Sequence, residues 1–118
     1  MDEGDETFPK SVRLLRRPDF LKVQRQSRRF TTPRMAILAM WTEKGTRFGF
    51  TVSKKVGNSV VRSRVKRRLR EITRQNKSLW PKGYDIVIIA RNAAARADFA
   101  DLQRDFTRWS TWFHKNRG

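Results

Sequence analysis

Hydrophobic spacing along the chain marks a succession of short elements. Val61, Val65, Leu69 and Ile72 recur at i, i+4, i+8 and i+11, which is one face of an α-helix. At 100° per residue they fill an arc of roughly 80°. Gly57-Asn58 precedes this helix as a turn, and Asn58 or Ser59 can cap its first free N–H groups. Arg34 to Trp41 is an apolar run of strand length. Thr42 to Thr46 contains Gly45 and reads as a hairpin connection to the next strand. Arg47 to Ser53 alternates, with Phe48, Phe50 and Val52 on one face and Gly49, Thr51 and Ser53 on the other. That second face either meets solvent or is a strip kept open for a ligand backbone. Tyr84 to Ala90 is nearly continuous in Ile and Val, the pattern of a central strand covered on both faces.

The flanks complete the order. Pro18 suits the first position of a short helix running to Gln26, with Asp19 favourable in its first turn. Phe20, Val23 and Gln24 share its inner side. Leu79 to Gly83 breaks the chain with Pro and Gly. A last helix runs from about Asp98 to His114, with Phe99, Leu102, Phe106, Trp109 and Phe113 as its core stripe. Helix, strand, strand, basic helix, strand, helix is the order of an α+β domain: a small sheet with helices packed on it. Residues 1–7 read as a disordered acidic tail and 8–118 as one domain.

Charge changes the picture at the central helix. Residues 54–75 carry nine Lys or Arg against one acid, Glu71, within a chain of net charge +17. Arg67, Arg70 and Arg74 project opposite the apolar stripe; Arg62 and Lys66 flank one edge of it, Arg64 and Arg68 the other. An ordinary solvated helix mixes both signs. This one surrounds its docking stripe with guanidinium forks that hold phosphate and stack on bases. The partner class is therefore nucleic acid, with anionic membrane second. Strands precede the basic helix where a DNA-reading helix has a preceding helix, which favours RNA over DNA.

Catalysis by the protein itself has no support. The chain has no Cys and one His, His114, so neither a thiolate site nor a histidine cluster is possible. Asp98, Asp101 and Asp105 share a helical side, a pattern explained by helix-start charge and pairing with Arg. No other carboxylates pair closely enough to hold two metals. Lys54-Lys55-Val56-Gly57-Asn58 does not match a phosphate-binding loop. There is no apolar run long enough to span a membrane and no secretory signal pattern, so the reading is cytoplasmic.

Three ordered motifs resemble the protein component of bacterial ribonuclease P. Val52-Ser53-Lys54-Lys55-Val56-Gly57-Asn58, followed by Arg62-Ser63-Arg64-Val65-Lys66-Arg67-Arg68-Leu69-Arg70, is similar to that family's S-K-K, G-N and R-N-R-x-K-R-x-x-R signature. Arg17-Pro18-Asp19-Phe20 resembles its opening helix. Gly83-Tyr84-Asp85-Ile86-Val87-Ile88-Ile89-Ala90-Arg91 resembles its D-(I/V)-V-(I/V)-x-A-R strand. The resemblance runs from Arg13 to Lys115.

It implies a single-domain α/β sandwich of the ribosomal protein S5 domain 2-like type, with a left-handed βαβ crossover through the signature helix. General topology alone would make that crossover right-handed. It implies a subunit of a ribonucleoprotein that removes the 5′ leader from precursor tRNA. In that family an RNA subunit does the chemistry with bound Mg²⁺, and the protein raises affinity for substrate and metal. The implied partners are ribonuclease P RNA and precursor tRNA, with no DNA and no membrane. The implied RNA-binding residues are Lys54, Lys55, Asn58, Arg62, Ser63, Arg64, Lys66, Arg67, Arg68, Arg70 and Arg74. Phe20, Gln24, Leu38 and Arg91 are the implied lining of a cleft for the single-stranded leader. Ser63 stands where the family has Asn, and Gln24 and Leu38 stand where aromatics are frequent, so a less aromatic floor is expected. Arg68 either extends the RNA-facing surface or snorkels beside the apolar stripe.

Overall fold

A computed structural model describes Arg13 and residues 16–116. The acidic tail and most of the extended segment ahead of Arg16 lie outside the described residues. The elements are α1 (Arg17–Gln26), β1 (Arg28–Thr31), β2 (Met35–Trp41), β3 (Arg47–Thr51), α2 (Ser59–Gln75), β4 (Tyr84–Ala90) and α3 (Phe99–Asn116). The strands form one mixed sheet in the order β1-β2-β4-β3.

Strand β4 is central because its sequence leaves it no other place. Asp85 to Ile88 are buried, so both faces need cover and both edges need partners. It pairs antiparallel with β2 and parallel with β3. The hairpin expected between β2 and β3 is therefore not formed: β4 lies between them. The true hairpin joins β1 to β2, with Arg28 opposite Ala39 and Thr31 opposite Ala36. Its turn is closed at Thr32, whose N–H donates to the Met35 carbonyl at 2.8 Å and whose Oγ1 accepts from the N–H groups of Arg34 and Met35, each at 3.1 Å. Strand β1 itself had no sequence expectation.

The sheet's two faces carry two cores. On one, Met35, Ile37, Ala39, Phe48, Phe50, Ile86 and Ile88 pack against Val65, Leu69 and Ile72 of α2 and Leu102, Phe106, Trp109 and Phe113 of α3. Each buried Val, Leu, Ile, Phe or Met among them contributes about 1.5–3 kcal/mol relative to exposure. On the other face, Val23 of α1 covers Ala36, Leu38, Met40 and Val87, with Phe20 and Ile89 half-buried at the rim. Of the stripe expected on α3, Phe99 is the exception and lies exposed at the helix start.

Capping follows the sequence signals. Asn58 Oδ1 accepts from the Val61 N–H at 3.0 Å. Gly57 permits that approach, since a Cβ there would stand 2.7 Å from Val61 Cγ1. Before α3, Asp98 Oδ1 accepts from the Asp101 N–H, and Asp101 Oδ2 accepts from the Asp98 N–H. Asp105 departs from the simple helix-charge reading. It is fully buried; Thr32 Oγ1 donates to its Oδ2 at 2.9 Å, and Arg34 Nε lies 3.1 Å from the same oxygen.

Candidate nucleic-acid interface

The crossover β3-α2-β4 sets the site. Helix α2 docks by Val65, Leu69, Ile72 and Thr73, and its remaining sides divide the basic residues into three groups.

One group faces a cleft at the outer edge of β3. Lys66 and Arg70, one turn apart, line it together with Arg13, Phe20 and the β3 segment Phe48 to Phe50. Its volume is about 210 Å³. Arg13 reaches this edge because its segment bridges parallel to Phe48. Gly49 lies in the cleft wall; Thr51 and Ser53 of the same small-residue face do not line the cleft. Burial, then the neighbouring Arg70, holds the Lys66 ammonium below the usual lysine range. Arg70 Nε is buried with no acceptor among the described residues. A buried donor left unsatisfied costs free energy that a phosphate oxygen would recover.

A second group is tied to the protein. Arg68 Nη1 donates to the Ala97 carbonyl at 3.0 Å, and Arg64 Nη2 donates to the Ala95 carbonyl at 3.3 Å. Both carbonyls lie at the end of the short 3₁₀ turn Asn92–Arg96. Arg62 Nη1 donates to the Gly57 carbonyl at 3.0 Å. Arg74 binds Glu71 through both Nε and Nη2, which draws the Glu71 carboxyl below its ordinary range.

The third group looks outward. Arg67 and Ser63 are exposed and share a shallow groove with Ser59, Val60 and Arg64. Lys54 and Lys55 are exposed on the loop ahead of α2. Asn58 is exposed as well, with its carbonyl oxygen committed to the cap.

The residues expected around the leader divide sharply. Phe20 is half-buried and lines the cleft. Leu38 is 2% exposed beneath α1 and offers no surface to a ligand, so its expected place in the cleft is corrected. The reason is its register: it sits opposite Val87 on the face that Val23 covers. Gln24 is exposed on α1 and is not among the residues lining this cleft. Arg91 is exposed beyond β4, its Nη1 donating to the Thr32 carbonyl at 2.8 Å. Arg13 was missed as an individual site residue; the basic, extended character of its segment was its only signal.

Among the described residues, no three His, Cys, Asp or Glu side chains gather as a metal-ligand set, and no helix is long and apolar enough to cross a membrane.

A mixed sheet with a cation-ringed crossover helix and an aromatic-and-arginine cleft defines an α+β RNA-binding protein. The family model described as Ribonuclease P matches residues 8–113. A protein from a Geobacter species, named ribonuclease P protein component, is 50% identical over 99 residues, covering 83% of this chain and 84% of its own. One of the same name from Geotalea uraniireducens is 41% identical over 92% of this chain and 96% of its own. The solved ribonuclease P protein of Thermotoga maritima superposes with a TM-score of 0.78 at 30% identity, covering 90% of this chain and 98% of that one. That of Staphylococcus aureus superposes with a TM-score of 0.76 at 27% identity, covering 84% and 92%. The chain belongs to the ribonuclease P protein family, the protein subunits of the bacterial ribonucleoprotein that processes tRNA 5′ ends together with an RNA subunit.

Proposed function

We propose that this subunit holds the 5′ leader of precursor tRNA in the β3-edge cleft while the outward side of α2 engages the RNA subunit, which performs the cleavage. The observation that carries this reading is the cleft itself. Phe20 supplies an aromatic surface beside Lys66 and Arg70, and Arg70 brings a buried donor with no acceptor among the described residues. Stacking and phosphate contacts are indifferent to base identity, which suits a subunit that serves many precursors. Gly49 lets a ligand backbone approach the strand closely.

The hydrolytic chemistry is assigned to the RNA, with Mg²⁺ held by RNA groups; the protein raises affinity for substrate by adding cations beside its phosphates. Its place of action is the cytoplasm. RNA is favoured over DNA because α2 follows strand β3 and has no partner helix across a short turn.

Equilibrium binding of the reconstituted enzyme to precursor and to mature tRNA tests this. The protein is expected to tighten binding of the leader-bearing form selectively. Equal tightening of both forms would overturn the assignment of the cleft to the leader.

A further inference from the structure

The sheet's opposite edge carries a second cationic surface. Arg28 and Phe30 alternate onto the α3 side of β1. The Arg28 guanidinium sits over the Trp112 ring, 5.6 Å from its centroid, and Phe30 meets the same ring at 5.3 Å. Helical periodicity puts Arg108 one turn before Trp112 and Lys115 about one turn after it on that flank. Arg28, Arg108 and Lys115 are exposed, and none pairs with a carboxylate among the described residues. The α3 acids nearby are committed elsewhere, Asp105 to Thr32 and Arg34, Asp101 to Arg104.

Charge on an edge strand is a common guard against strand pairing, and Arg28 or Arg29 alone would serve that purpose. This edge adds an aromatic face under the guanidinium and further cations one turn to either side. That combination matches the phosphate-plus-base character of RNA. A second copy of the chain is a poor occupant, because pairing at the four-residue β1 would crowd Arg28 and Arg29 of both copies together.

We propose that the Arg28–Trp112 surface is a second RNA-contact site, taking phosphodiester backbone of the RNA subunit on the edge away from the leader cleft. Strands β2 and β4 intervene between β1 and β3. The two edges are therefore separated by about 14 Å along the sheet, and different parts of the RNA engage them. The inference rests on the family reading that an RNA subunit is the partner.

The test measures affinity of the full chain for a bacterial ribonuclease P RNA across a salt series, using Arg28→Gln/Arg108→Gln. The expected result is a log–log salt slope shallower by roughly 0.7–0.9 for each of the two lost contacts. Arg28→Lys/Arg108→Lys should restore the slope, and preference for leader-bearing over mature tRNA should stay level in both variants. An unchanged slope in the Gln variant, beside normal salt-dependent binding by the unaltered protein, would overturn this site and leave the family reading intact. Loss of self-association in that variant with an unchanged slope would also overturn it, in favour of a dimer contact. Failure of the unaltered protein to bind the RNA would instead remove the reading beneath it.

Discussion

Lys66 and Arg70 stand one helical turn apart and face the same cleft, so the fold holds two cations together beside Phe20. Burial and Arg70 both lower the Lys66 pKa relative to the unfolded chain. Protonated Lys66 therefore costs stability at neutral pH, and that cost fades as pH rises from the folded to the unfolded pKa. RNA binding responds in the other direction, because a phosphate in the cleft favours the cation. Leader affinity should decline on the alkaline side at a lower pH than an ordinary lysine near 10.4 would impose. Lys66→Arg should remove that early decline. Fluorescence titration of leader-bearing RNA across pH checks this, and superimposable profiles for the two proteins would contradict it.

Arg67 and Arg68 are sequence neighbours with different uses. Arg67 is exposed with no partner among the described residues, whereas Arg68 is bound to the Ala97 carbonyl. Arg67→Ala should leave the melting temperature unchanged and flatten the salt dependence of RNA binding by roughly 0.7–0.9 in slope. Arg68→Ala should cost about 1 kcal/mol of stability and change the slope little. Thermal melts paired with salt titrations separate the two; matching behaviour would place Arg68 on the RNA.

Phe20 belongs both to the cleft and to the rim of the α1-side core. Phe20→Ala should weaken binding of leader-bearing precursor to the reconstituted enzyme by about 1–3 kcal/mol through lost stacking. Mature tRNA should bind as before. Phe20→Leu, which keeps most of the packing, should show nearly the same loss on precursor. Equal losses on precursor and mature tRNA would reduce Phe20 to a core residue.

Much of this architecture is legible in the sequence. The α2 stripe follows from helical periodicity, its Asn58 cap from the capping chemistry of an Asn at a turn, and the buried β4 from a nearly unbroken apolar run. β1 was not legible, because an edge strand needs only one apolar residue on its core side, and in Arg28–Thr31 that residue is Phe30. The β2–β3 hairpin was misread because the Gly45 loop looks local, while the pairing partner of both strands is β4, far along the chain. At the site, charge identified α2 but could not sort its arginines. The hydrogen bonds of Arg64 and Arg68 onto Ala95 and Ala97 depend on where the 3₁₀ turn after β4 folds back. Leu38 failed for a related reason, since its burial is decided by Val23 on another element.

Asp105 ties α3 to the β1–β2 turn through Thr32 and Arg34, with its Oδ1 buried and without a partner among the described residues. Asp105→Ala should destabilise the protein by about 1.5–3 kcal/mol, the range for a hydrogen-bonded charged group. Chemical denaturation checks this. A loss below about 0.5 kcal/mol, typical of a surface site, would mean that the turn is held by its own backbone contacts.

On the proposed reading, this chain is the protein partner of a catalytic RNA. The most direct test of that reading mixes the protein with a bacterial ribonuclease P RNA, at Mg²⁺ too low for the RNA to act alone, and follows release of the 5′ leader from precursor tRNA. The protein is expected to restore cleavage, and without the RNA to release nothing. Cleavage by the protein alone, or no rescue despite tight binding to the RNA, would contradict it.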